Sequence, residues 1–361
     1  MRVLVIGLLL VTLFGGAVTP IADAAPSRKK AIWGPVVRDG KSQFPIYRDL
    51  GVGLYQTTLS WSAIASARPA TPRDPADPAY RWPADVDLAA AQAPGHGMSV
   101  SLLVTSTPRW ANGGRDARWT PNDPKDYADF LEAAARRYPG VRHWMIWGEP
   151  SKESNFQPLQ SDRKGPLRGS GARGPRLYAQ LLDEAYGRLK ALNRANLVIG
   201  GNTYTVGTVR PLNFIRAMRL PNGRAPRMDL YGHNPFSLRR PDLRASPLGN
   251  GFADFGDLDT LARWLDRYRV GRGKKLRLFL SEYSLPTDRR NREFNFFVTR
   301  RTQASWISSA LRVARGWKRI YTFGYLGLYD EQPNAQRDEI RWGLLDANGR
   351  RKPAFDAFRR G

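Results

Sequence analysis

The chain has 361 residues, a formal net charge of +25, three histidines and no cysteine. The lack of cysteine excludes disulfide frameworks and thiolate chemistry, and three widely separated histidines argue against a zinc site. Hydrophobic residues make up 42% of the chain, enough for a large core, and the basic residues are scattered with no block of five or six in a row. The charge therefore reads as arginine spread over outer surfaces, and no nucleic-acid partner is expected.

Residues 1–24 are expected to lie outside the fold. Met1 and Arg2 give a minimal charged start, Val3 to Gly15 is an apolar run, and Ala22-Asp23-Ala24 offers small residues where a signal peptidase reads. An uncleaved anchor is the alternative, since the run nearly spans a bilayer if Ala17 to Ile21 is added. Pro20 and Asp23 interrupt it, so a cleaved signal peptide is expected, with a secreted or cell-surface product and no stable membrane span. Residues 25–361 are then of a length normal for one α/β barrel with insertions.

From Ile32 onward, short apolar runs alternate with amphipathic stretches, as repeated βα units do. Strands are predicted at Ile32–Pro35, Gly53–Leu59, Ser99–Thr105, His143–Gly148, Leu197–Asn202, Asp229–Asn234, Leu276–Glu282 and Ile320–Tyr325. Between them, Asp85–Ala93 reads as a helix, and Pro121-Asn122-Asp123-Pro124 caps another running to about Arg137, with Tyr127, Phe130, Leu131 and Ala134 on one face. Pro175 opens one reaching about Leu192, and Leu212–Leu220, Leu258–Tyr268, Thr302–Arg315 and Pro353–Phe358 follow. The first crossover, Lys41–Leu50, is weak as a helix. Eight strands alternating with helices imply a closed parallel (β/α)8 TIM barrel in a single domain. Chemistry then belongs at the C-terminal ends of the strands, beside the loops Thr107–Asn122 and Ser151–Gly174. The second of these loops is long, polar and rich in Gly and Arg, and loops of that length are functional or disordered.

The fourth strand ends Trp144-Met145-Ile146-Trp147-Gly148-Glu149-Pro150, and the seventh ends Leu278-Phe279-Leu280-Ser281-Glu282-Tyr283-Ser284. One glutamate at a strand end is ordinary, and is usually ion-paired or exposed. Two, at one level of the same barrel mouth, supply the pair of carboxyl groups that glycosidic bond cleavage uses: one protonates the leaving oxygen and the other attacks or activates water.

With these residues in place the sequence resembles clan A of the glycoside hydrolases, the retaining group that includes families 5 and 39. Its fourth strand carries an Asn-Glu-Pro motif with the acid/base, and a glutamate ending strand seven is the nucleophile. Glu149-Pro150 matches the first and Glu282 the second. Thr107-Pro108-Arg109-Trp110-Ala111, the segment Asp229 to Phe236, and the closing Gly343 to Ala354 also look familiar. The resemblance implies a retaining glycosidase with Glu149 as acid/base and Glu282 as nucleophile, the carboxyl groups about 5–5.5 Å apart, a carbohydrate substrate, and no cofactor or metal.

Two positions depart from that pattern. Gly148 stands where the family has asparagine, which bonds the sugar 2-hydroxyl; either Asn202, Asn234 or Asn155 supplies that donor, or the substrate is unusual, or activity is impaired. Phe236 stands where a tyrosine often orients the nucleophile, and Tyr283, Tyr204 or Tyr231 is the expected replacement. Trp110, Trp119, Trp147, Phe156, Tyr325, Tyr329 and Trp342 lie at or beyond strand ends, where flat faces stack on sugars or pack in the core. His233 is placed to touch substrate or nucleophile, whereas His96 and His143 read as structural. Trp110, Asn202, His233, Asn234, Tyr283 and Tyr325 thus form the expected substrate-binding set. Arg163, Lys164, Arg168, Arg173 and Arg176 follow the acid/base with Asp162 the one nearby acid, so acidic glycans are candidate partners and a solvated basic loop is the alternative. No serine-nucleophile elbow or phosphate loop is present. The rival to an enzyme is a catalytically silent barrel that binds glycans or anionic polymers.

Overall fold

The computed structural model describes residues 27–291, 293–333 and 339–361; the expected leader at 1–24 and its boundary lie outside the described residues. Eight strands close into a barrel: β1 (Ser27–Trp33), β2 (Val52–Ser60), β3 (Ser99–Thr105), β4 (His143–Ile146), β5 (Leu197–Tyr204), β6 (Leu230–Asn234), β7 (Arg277–Tyr283) and β8 (Ile320–Leu326). They lie in chain order, every neighbouring pair is parallel, and β8 pairs back with β1. This is the (β/α)8 barrel expected from the alternation.

The helices are α1 (Phe44–Asp49), α2 (Trp61–Ile64), α3 (Ala84–Gln92), α4 (Pro124–Arg137), α5 (Arg173–Leu192), α6 (Pro211–Ala217), α7 (Leu258–Arg267), α8 (Arg300–Gly316) and α9 (Pro353–Arg360). The weak first crossover is a two-stranded hairpin (Val37–Arg38 with Lys41–Ser42) followed by the six-residue α1. Asp123 caps α4, its carboxylate accepting from the Lys125 amide, and Tyr127, Phe130, Leu131 and Ala134 are buried as their spacing predicts. Among the described residues no helix is long and apolar enough to cross a membrane.

Period-two alternation sorts the strand side chains into two cores. Inside the barrel, Ala31, Leu54, Leu103, Met145, Ile199, Leu230, Phe279 and Tyr321 come one from each strand and fill the lumen. Outside, the opposite parity, with Ile32, Tyr55, Leu102, Trp144, Val198, Tyr231, Leu278 and Ile320, packs under the helices. β1 begins five residues before its predicted start because Lys30 is buried: its ammonium bonds the carbonyls of Leu50 (3.1 Å) and Arg359 (2.9 Å), so a charge that reads as exterior lies within the fold.

Two helix tyrosines fix the upper ends of the strands. The Tyr127 hydroxyl donates to the Val104 carbonyl (2.7 Å), and that of Tyr178 donates to Ile146 (2.9 Å) while accepting from the Gly201 amide (2.8 Å). Loops beyond β7 and β8 are joined by a buried ion pair. The Lys352 ammonium meets Asp330 at 2.9 and 3.2 Å, the Thr287 hydroxyl at 3.0 Å and the Arg341 carbonyl at 3.2 Å. Burial pushes the Asp330 carboxyl up and the Lys352 ammonium down, and each charge opposes the other's shift. Lys352→Met leaves Asp330 buried without a counter-charge and should lower stability by about 3–5 kcal/mol. Pairing it with Asp330→Leu should restore most of that loss, read as the midpoint of urea unfolding.

Candidate active site

β4 ends early. After Ile146 the chain takes left-handed dihedrals at Trp147 (φ 63°) and Glu149 (φ 45°), conformations that cost a non-glycine residue on the order of 1–3 kcal/mol and persist only where neighbours over-determine them. Here the neighbours do. The Trp147 amide bonds Val104 (3.0 Å), its indole bonds the Asn155 carbonyl (2.9 Å), and the Lys152 amide bonds the Glu149 carbonyl (2.9 Å). Asn202, itself left-handed (φ 43°), donates its amide to the carbonyls of Trp147 (2.8 Å) and Ile146 (3.3 Å). The turn aims Glu149 into the barrel mouth, where it is buried.

Three side chains hold its carboxylate. Asn234, ending β6, donates to Oε1 at 3.0 Å; Asn155 donates to Oε2 at 3.3 Å; the Lys152 ammonium stands 2.9 Å from Oε2. The Asn234 amide is oriented by its other end, because Oδ1 accepts from the Ser281 hydroxyl at 2.6 Å. That leaves Nδ2 to face the glutamates. Ser281 is in turn fixed through its carbonyl, which accepts from the Trp33 indole and the Gln56 amide, both at 2.9 Å.

Glu282 follows Ser281 and is half-buried. Burial and then the negative charge of Glu149 push its carboxyl up to about 8, opposed by the Lys152 ammonium and by hydrogen bonding from Asn234. Both carboxyl groups thus feel the same amide, the same ammonium and each other, and the pair holds one proton near neutral pH. In the unliganded site burial favours the protonated form of Glu282, while the Lys152 ammonium stands against Glu149.

The expected substrate-binding residues separate into two groups. Asn234 is brought to the carboxylates and Asn155 joins it. His233, one residue earlier on β6, has the opposite parity and is fully buried. Its Nε2–H donates to the Ala253 carbonyl (2.9 Å) and its Nδ1 accepts from the Thr203 hydroxyl (2.8 Å), so both ring nitrogens are occupied. Burial lowers its pKa to about 4, which keeps the ring neutral. Tyr283 is buried outside the barrel against Phe255 and Phe323, and Tyr231 packs in the same outer layer. The Tyr325 hydroxyl, also buried, donates to the Trp342 carbonyl (2.7 Å). Half-buried Trp110 bonds the Ala65 carbonyl through its indole (2.8 Å), meets Trp61 edge-on and carries Arg68 over its face. Asn202 braces the β4 turn from behind. A side chain at Gly148 would meet Leu103, whose Cδ2 lies 3.2 Å from where its Cβ would sit, so an asparagine there requires the lumen to give way. Phe236 packs between Tyr204 and Phe294.

Sequence reasoning passed over Lys152, Ser281, Trp33 and Gln56. Lys152 had a signal, a basic residue three positions after Glu149 in a turn; the other three act through contacts between strands far apart in sequence. Tyr204 ends β5 half-buried, with the Lys152 ammonium 4.7 Å from its ring centre, in the field of both glutamates. Beside it opens a cavity of about 780 Å³ whose walls include Lys152, Asp162, Arg163, Thr208 and Arg210. Among the described residues no group of three or more His, Cys, Asp or Glu could hold a metal ion.

No family model matches the sequence, and no curated protein matches it closely. Solved structures do match. A family 39 glycoside hydrolase from the gut symbiont Bacteroides cellulosilyticus WH2 is 15% identical over 93% of this chain and 63% of that one, with a TM-score of 0.68. A glucosidase from Croceicoccus marinus (15%, 94% and 68%, TM-score 0.63) and a monomeric β-xylosidase from Caulobacter crescentus CB15 (15%, 93% and 69%, TM-score 0.59) are similar in the same way. This chain therefore spans a little under two thirds of the family 39 enzyme. At such identities the likeness concerns the fold, and the chain has the (β/α)8 barrel found in glycoside hydrolases of clan A, with a carboxyl group at the mouth end of the fourth strand and another at that of the seventh.

Proposed function

We propose that this chain is an exported glycosidase of the retaining type. The observation that carries the reading is the single amide of Asn234, locked by Ser281, which stands between two carboxyl groups that share one proton. In the first step the Glu282 carboxylate attacks the anomeric carbon, the glycosidic C–O bond breaks, and Glu149 gives its proton to the leaving oxygen. In the second, Glu149 takes a proton from water, whose oxygen attacks the same carbon and releases Glu282 from the ester. Neither step needs a metal or an organic cofactor. Export rests on the leader-like residues 1–24.

The finer reading concerns the sugar. Glu149 must hold a proton to serve as acid, yet the Lys152 ammonium stands 2.9 Å from its carboxyl group. An anionic group on the substrate, such as a uronate carboxylate, would draw the ammonium away from Glu149 and let the shared proton move there. The exposed Arg163, on the wall of the neighbouring cavity, adds a second cation.

Glu282→Ala should abolish turnover of an activated aryl glycoside. Glu149→Ala should cost about 10²–10⁴-fold on substrates whose leaving groups need a proton, with azide restoring turnover as a glycosyl azide of unchanged anomeric configuration. Binding of glycans with no turnover in the unmodified chain would favour the silent barrel instead.

The pH dependence has a definite sign. The pair's proton is lost as pH rises through about 8, so kcat/KM on a neutral glycoside should fall there. Lys152→Met removes a positive charge that favours the ionised form of Glu282, so that alkaline limb should move to higher pH. The same substitution should erase a preference of about 10- to 100-fold for anionic over neutral glycosides, the range of a hydrogen bond to a charged group. An unmoved limb and an unchanged preference would overturn the role given to Lys152.

A further inference from the structure

Tyr204 also stands on the wall of a second cavity, of about 310 Å³. Its walls include Tyr204, Val206, Phe236, Leu238, Phe294 and Phe296, contributed by the loops after β5, β6 and β7. Leu238 is 70% exposed, Val206 48% and Leu248, also on the wall, 47%. These are three of the six strongly exposed large hydrophobics among the described residues, gathered at one spot on a highly charged protein. Concentrated exposure of this kind marks a binding surface.

Several polar groups around this cavity are occupied with one another, while the exposed Glu293 and Asn295 stand at its rim. Asp254 accepts from Arg239 (2.8 Å at each oxygen), from Ser237 (2.8 Å) and from the Gly256 amide (2.8 Å). The Thr205 hydroxyl donates to the carbonyls of Phe236 (2.8 Å) and Asn234 (3.1 Å). A second sugar placed here would leave the hydroxyls buried against Phe236, Phe294 and Phe296 without partners, a cost of about 1–3 kcal/mol for each one. A hydrocarbon or aromatic group carries no such cost, and the volume lies within the range of small-ligand pockets.

We propose that this cavity is the subsite for an apolar leaving group, an alkyl or aryl alcohol bound to the sugar that sits between Glu149 and Glu282. The inference rests on the glycosidase reading and deepens it. Its occupant follows from continuity: Tyr204 is the common wall, since its ring centre lies 4.7 Å from the Lys152 ammonium that stands 2.9 Å from Glu149, and it also lines the apolar cavity. The sugar ring being cut has to occupy the space between the carboxyl groups, so what reaches past Tyr204 is the group that departs.

The test compares methyl, butyl, hexyl and 4-phenylbutyl glycosides of one sugar, with calorimetric titration of free 4-phenylbutanol as an arm independent of turnover. kcat/KM should climb about fourfold for each added methylene until the cavity is filled. In Leu238→Asp and Val206→Asp that dependence should flatten, and both variants should bind 4-phenylbutanol at least tenfold more weakly. If no glycoside is cleaved, the glycosidase reading falls, and the leaving-group assignment with it, while titration still reports whether the cavity takes apolar alcohols. If glycosides are cleaved at rates indifferent to chain length, or a disaccharide of the same sugar outruns every alkyl glycoside, the subsite proposal is overturned and the glycosidase reading stands.

Discussion

The side-chain amide of Asn234 is the contact on which the rest of the site depends. It ties the ends of three strands together, since it starts on β6, accepts from Ser281 on β7 and donates to Glu149 just beyond β4. An amide has one acceptor end and one donor end, so the hydroxyl of Ser281 decides which way it points. That choice gives the Glu149 carboxylate a donor at 3.0 Å, and on Glu282 the same amide opposes the rise that burial and the charge of Glu149 impose. The sequence departure at Gly148 and the presence of Asn234 are consistent parts of one arrangement. With no side chain at 148, the polar work at the mouth falls to β6 and to the turn that follows Glu149.

The barrel below makes that arrangement possible by being well filled. One residue from each strand plugs the lumen, and a second core under the helices fixes the strands from outside. Against this support the β4 turn can hold left-handed dihedrals at two non-glycine residues. Tyr127 and Tyr178 do similar work from the helices, each bonding a carbonyl at the end of a strand that borders the turn.

Much of the fold was legible because parallel barrel strands are buried on both faces and read as continuous apolar runs. Where the reading slipped, charge was the reason: Lys29 and Lys30 look like exterior residues, yet the second is buried and bonded to two carbonyls. Glu149 and Glu282 were legible as polar residues directly after apolar strands. Their surroundings were less so. Strand parity could have separated Asn234 from His233, because adjacent side chains point to opposite faces, but the register of β7 shifts between Leu280 and Tyr283, so counting from the inward Phe279 would have put Glu282 outside and Tyr283 inside. The bracing by Asn202 was beyond reach, since it depends on left-handed backbone at two places that no local pattern marks. Lys152 was overlooked because a lone lysine in a basic chain carries little information.

The arginine-rich stretch after β4 is less free than its composition suggests. Gln157 is bonded to both Arg118 and Thr120 of the preceding loop, and the carboxylate of Asp162 is clasped by Arg210 and by Asn213. Between that clasp and the helical turn at Gly169–Ala172 remains an arch, residues 163–168, in which Arg163, Lys164 and Arg168 are exposed. A trypsin-like protease would find its sites there, yet a single cut would open a strip anchored on both sides. The two fragments would remain joined through the barrel, with Glu149 on the first and Glu282 on the second.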